Sequence, residues 1–136
     1  FYLAQTARIN NWDLVDTSCY KILGHYCYHE GEEATLFQLS ESQNLWENRI
    51  AIVSTLYFIR KKTLSIVPEI VLKNINHPHD LMHKANGWML REMGKKDEEK
   101  IILFLDDNAT RLPRTSLRYA LEKLDPALKN YYMNLK

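Results

Sequence analysis

Trp12 and Asp16 stand four residues apart in the stretch "INNWDLVD" (9–16). At helical spacing the two share one face. A core would accept the ring and reject the acid, and a solvated face would do the reverse. Arg49 is out of place in the same way, early in the apolar segment "LWENRIAIVSTLYFIRKK" (45–62) and beside Trp46. Trp88 follows a glycine in "NGWMLRE". A glycine inside a helix costs about 1 kcal/mol relative to alanine, and it often marks close approach of another backbone. Arg111, Arg114 and Arg118 gather around the helix start in "LPRTSLRYALEKL", where guanidinium and backbone N–H groups can reach phosphates. The chemistry open to such a set is definite. A carboxylate can stabilise a developing cation or orient a water. Ring faces attract cations by about 0.5–2 kcal/mol, depending on desolvation, and arginine grips phosphate.

Each of these residues also has a plain structural alternative. Tryptophans in helical proteins are mostly core residues. Asp16 can simply pair with an arginine. The three arginines can be a solvated face. His25 and His29, like His79 and His83, have an i, i+4 spacing that can hold a metal. A catalytic metal usually needs three protein ligands, and no third is placed with either pair, so no metal is expected. Cys19 and Cys27 lie eight apart, with no CxxC spacing, and read as reduced thiols rather than a disulfide framework. No Ser/His/Asp set or glycine-rich phosphate loop is present.

The elements that would position these side chains are helices. The 136 residues are 46% hydrophobic and 26% charged, an ordinary globular composition sized for one domain. Four glycines and four prolines leave little room for the turns of an all-β fold. Net charge is +1, but residues 1–48 carry two bases against seven acids, and residues 49–136 carry sixteen bases against ten acids. A basic C-terminal part on a neutral whole is compatible with phosphate contact. The spacing predicts a helix over 12–26 with Asn11 as cap and Leu14, Val15, Cys19, Ile22, Leu23 and Tyr26 on one buried stripe. Further helices are predicted in "EEATLFQLS", over 45–62, and over 63–76 with Thr63 or Ser65 as cap. Another runs over 77–96, starting after Pro78 and stopping at Gly94. The last three open on Asp97, near Pro113, and on Asp125–Pro126. About eight helices on short polar links argue for an all-α fold, a superhelical stack of antiparallel helix pairs, with a compact bundle as the alternative.

Four segments taken together, "NNWDLVD", "LWENRIAIVSTLYFIRK", "DLMHKANGWMLREMGKKD" and "LPRTSLRYALEKL", resemble the AlkD-like DNA alkylation repair family, alkylpurine DNA glycosylases built from HEAT-like helical repeats. The segments run in order from about residue 1 to about residue 125 and match the C-terminal portion of the family's domain. Family members have further helices ahead of this point, and the chain opens on Phe1 rather than Met, so it is expected to be a single HEAT-like domain, 1–136, lacking its N-terminal helices. The resemblance implies a concave, basic DNA-binding face and excision of positively charged N3- or N7-alkylated purines from double-stranded DNA. It assigns the family's functional Trp and Asp to Trp12 and Asp16, its functional Arg to Arg49, and its second lesion-side Trp to Trp88. Asp16 is then the catalytic carboxylate, Trp12 and Trp88 meet the lesion or its sugar, and Arg49 holds a phosphate. Arg111, Arg114 and Arg118 are the further candidates for phosphate contact. The expectation is a cytoplasmic monomer that needs no cofactor or metal and touches no membrane. The competing readings are a non-catalytic relative that binds unusual DNA structure and a helical-repeat scaffold for protein partners.

Overall fold

The computed structural model describes residues 22–135, and Trp12, Asp16, Asn11 and Cys19 lie outside that range. The described residues form eight helices and no strands: α1 (Gly24–Glu30), α2 (Glu33–Ser40), α3 (Leu45–Arg60), α4 (Ile66–Lys73), α5 (Asp80–Lys96), α6 (Glu98–Asn108), α7 (Arg114–Leu121) and α8 (Pro126–Met133). The chain divides into two compact units between Asn74 and Ile75, with α1–α4 in the first and α5–α8 in the second.

In the first unit α3 is the central helix, packed by α1, α2 and α4. Its sequence explains that position. Residues 48–56, Phe58 and Ile59 are all buried, so the helix is covered on every side. Each large aliphatic or aromatic side chain that leaves water there contributes about 1.5–3 kcal/mol. Asn44 starts α3 by accepting the Trp46 and Glu47 N–H groups on Oδ1 at 2.8 and 3.1 Å. The helix stops where Lys62 turns left-handed, with φ 60°. There the Lys62 and Thr63 N–H groups return to the Ile59 and Phe58 carbonyls. α1 closes similarly on Gly31, whose φ of 68° suits a residue without a Cβ.

In the second unit α5 packs on α6 and α7, and α7 on α8. The next-but-one contacts α5·α7, α1·α3 and α2·α4 are the packing rhythm of stacked helix pairs. Three helices here begin as their sequences predict. His79 Nδ1 accepts the Leu81 N–H at 3.2 Å, Asp97 accepts from Glu99 at 3.1 Å, and Asp125 accepts from Ala127 at 3.0 Å with Pro126 next. Pro113 precedes α7, which has no side-chain cap.

Three local expectations are corrected. Gly94 does not end α5, which continues to Lys96 and ends at Asp97. A Cβ at Gly94 would lie 2.9 Å from the Ile101 side chain of α6, so the glycine makes room for the next helix. Ile22 and Tyr26 are not on the buried stripe. They are exposed, at 54% and 51%, while Leu23 and Cys27 face the core. The helical step of about 100° per residue turns the pair 22/26 away from the pair 23/27. Ser65 precedes α4 but makes no capping bond.

Candidate functional site

Arg49 lies in the first turns of α3, and the corner from α2 into α3 fixes its place. Asn48, buried beside it, turns its Nδ2 toward three carbonyls of that corner: Leu39 at 2.9 Å, Ser40 at 3.2 Å and Ser42 at 2.9 Å. Asn74, at the end of α4, donates to the same Ser40 carbonyl at 3.0 Å. Ser42 Oγ donates to Glu47 at 2.6 Å. These bonds satisfy carbonyls that α2 leaves without helical partners. Arg49 itself is only 8% exposed and is engaged within the fold. Sequence reading singled out Arg49 and passed over Asn48. A polar residue at a buried position one step from the arginine was the available signal.

Trp88 is half-buried on α5, and its neighbour Gly87 is where α7 comes closest. A Cβ at Gly87 would stand 2.6 Å from the Ser116 carbonyl oxygen and 2.5 Å from Tyr119 Cβ. Glycine is therefore required by contact rather than by conformation. The approach is bonded on both sides of this point. Ser116, fully buried, donates Oγ to the His83 carbonyl at 2.7 Å. Thr115 Oγ1 donates to Asp80 at 3.1 Å. Arg91 Nη1 meets Glu122 at 2.9 Å further along. The stretch of α5 that carries Trp88 is thus held against α7, the close approach that the glycine ahead of it suggested.

Arg111, Arg114 and Arg118 are all exposed in the second unit, the first just ahead of α7 and the others one turn apart on it. Their surroundings differ. Arg111 Nη1 donates to Asn108 Oδ1 at 2.8 Å. Arg114 Nη1 donates to the Met133 carbonyl at 2.9 Å and closes the end of α8. Arg118 lines a shallow groove between α7 and α8 of about 250 Å³, together with Leu121, Glu122, Lys129 and Met133. Lys129 was not among the residues singled out from sequence, because a lone lysine on a short helix carries no distinguishing pattern.

The histidines have structural partners. His29 Nε2 lies 3.0 Å from the Tyr57 hydroxyl, and the His25 ring packs on both His29 and Tyr57. His77 Nδ1 accepts the His79 N–H at 3.0 Å, and His83 Nε2 donates to the His77 carbonyl. Burial, and then His79 and His83, hold His77 below the ordinary imidazole range. Among the described residues no group of three or more His, Cys, Asp or Glu side chains is placed for a metal ion. Cys27 is free and fully buried. Burial, and then Glu32 and Glu33, push its thiol up to about 11, the opposite of a nucleophilic cysteine. Among the described residues no helix is long and apolar enough to cross a membrane.

Packed helix pairs, with exposed arginines around one short helix, define an all-α protein of the helical-repeat type. The family model described as DNA alkylation repair enzyme matches residues 1–124, so the chain belongs to that family. No curated protein matches the chain.

Proposed function

We propose that the protein is a DNA glycosylase that removes N3- or N7-alkylated purines by hydrolysis of the N-glycosidic bond. The observation that carries this reading is the family match over residues 1–124, a span that includes Trp12, Asp16, Arg49 and Trp88 together.

An N3- or N7-alkylated purine is a cation, so it leaves without prior protonation. The C1′–N bond breaks with its electron pair going to the base, which departs neutral. Positive charge then develops on the sugar. The Asp16 carboxylate stabilises that charge and accepts a proton from the water that adds at C1′, leaving an abasic site. The faces of Trp12 and Trp88 favour a cationic base over a neutral one. Arg49, which is mostly buried and engaged within the fold, is assigned the backbone beside the lesion on the family resemblance rather than on its surroundings. Arg111 and Arg114 each commit one N–H to the protein, which leaves donors of the five on each guanidinium for phosphate. α7 adds first-turn N–H groups without a side-chain cap.

The test is Asp16→Asn, compared with the parent on methylated duplex DNA. The amide keeps the shape of the side chain and removes its charge. The expected outcome is loss of 7-methylguanine release by about 100-fold or more, the scale of a lost acid–base or electrostatic group, with DNA affinity within about threefold of the parent. Release at the parent rate would overturn the assignment of Asp16.

A further inference from the structure

The geometry points to the α7–α8 groove as the seat of a single DNA backbone phosphodiester held jointly by Arg118 and Lys129. The inference rests on the DNA-repair reading above and names a contact within it.

The groove has two walls of different origin. α7 supplies Arg118, Leu121 and Glu122, and α8 supplies Lys129 and Met133. Arg118 is exposed and Lys129 half-exposed, and neither makes a hydrogen bond or ion pair with the described residues. The carboxylate on the lining, Glu122, is already committed to Arg91 at 2.9 Å. Two positive charges therefore line one groove of about 250 Å³, and the carboxylate that shares it is held by Arg91 rather than by either of them. The groove is also braced. Arg114, one turn ahead of Arg118 on α7, donates to the Met133 carbonyl and ties the end of α8 to α7. Tyr132, buried next to Met133, donates its hydroxyl to Asp106 of α6 at 2.7 Å and anchors the same turn from the other side.

Chemistry favours a phosphodiester over free phosphate. Arginine supplies a planar fork of N–H donors, and lysine supplies a mobile point charge. Together they can cover the two non-bridging oxygens of a diester. The rest of the lining is apolar, from Leu121 and Met133. Sugar carbons on either side of a diester can lie against such a surface. A free phosphate has no such carbons to lay against Leu121 and Met133 and gains nothing from that part of the lining. Two cations on one phosphate also differ from two cations on two. Counterion release follows the number of phosphates neutralised, with a slope of about −0.9 per phosphate on duplex DNA.

The experiment measures duplex DNA affinity against salt for the full chain and for Arg118→Gln, Lys129→Gln and the double variant. Both positions are on the surface, and equal melting temperatures confirm that each variant folds. Each single variant is expected to weaken binding several-fold. The double variant is expected to make the log–log salt slope shallower by about 0.9 in total. A loss of about 1.8, the value for two separate phosphates, overturns the shared seat. An unchanged slope overturns the groove as a DNA contact. Inorganic phosphate is expected not to compete at matched ionic strength, and competition lost in the double variant would make the groove a free-anion site instead. If the parent itself binds no duplex DNA at low salt, the DNA-repair reading falls and this inference with it, whereas parent binding with an unaltered double variant removes the groove alone.

Discussion

At the scale of single residues, the chain separates groups that hold the fold from groups left to act on something else. Asn48 is of the first kind. It is buried, and its amide is the donor for carbonyls of Leu39, Ser40 and Ser42. Asn48→Ala removes that donor and leaves the carbonyls buried without it. The expected loss is about 1–3 kcal/mol of unfolding free energy, measured by urea denaturation, and a variant as stable as the parent would contradict the accounting. Cys27 is also of the first kind, an apolar core side chain whose raised pKa keeps it as a thiol. Arg118 and Lys129 are of the second kind. Both extend into one groove without a carboxylate partner of their own. Residue type alone did not separate the two kinds. Arg111 and Arg114 look like Arg118 in the sequence, yet each has a hydrogen bond to its own fold that Arg118 lacks.

At the scale of elements, the α5–α7 contact governs the second unit. Gly87→Ala gains about 1 kcal/mol in helix propensity, but its Cβ would fall within 2.6 Å of a backbone oxygen that cannot step aside. Overpacking of this sort costs about 1–3 kcal/mol, and α7 must shift to relieve it. A lower melting temperature is expected, and an unchanged or higher one would show that the two helices are not held at this distance. The start of α5 is sensitive to acid. His77 accepts the His79 N–H on Nδ1, and Asp80, Lys84, His83 and Thr115 surround the same turn. The folded state holds His77 below its ordinary pKa, so it binds fewer protons than the unfolded chain does near pH 6.5. This contribution to stability is therefore complete above about pH 6.5 and lost as pH falls through the lower, folded value. The melting temperature should fall as pH drops below about 6.5, with a flatter profile in His77→Asn. Equal pH profiles for the two proteins would contradict this. Helix starts were the most legible part of the sequence, because Asp97, Asp125–Pro126 and Pro113 act through local bonds and local sterics. Gly94 was misread because a helical glycine can serve either a turn or a neighbour, and only packing decides which. Ile22 and Tyr26 were misread because an apolar stripe one residue too wide has the same period as the true one.

At the scale of the whole molecule, the all-helical architecture follows from periodicity and from the scarcity of turn residues. Family membership is shown by the match over residues 1–124, and four short segments read together point to the same family. For the candidate site the sequence offers types and spacings: a carboxylate and a ring four residues apart, which lie outside the described residues, an arginine at the start of an apolar helix, and a tryptophan after a glycine that the structure shows to be tightly packed. Its supporting parts were not. The Asn48 amide, the Ser116 hydroxyl and the Lys129 ammonium gain their meaning from residues at least six positions away in the chain. The central claim is hydrolysis of the bond between sugar and alkylated purine. Its most direct measurement is chromatographic analysis of bases freed from methylated duplex DNA by the protein, scored against spontaneous loss from the same DNA. The account predicts 7-methylguanine or 3-methyladenine released well above the spontaneous rate, an abasic site for every base freed, and no such release by Asp16→Asn. Folded protein that binds the methylated duplex yet frees no base faster than DNA alone would contradict it.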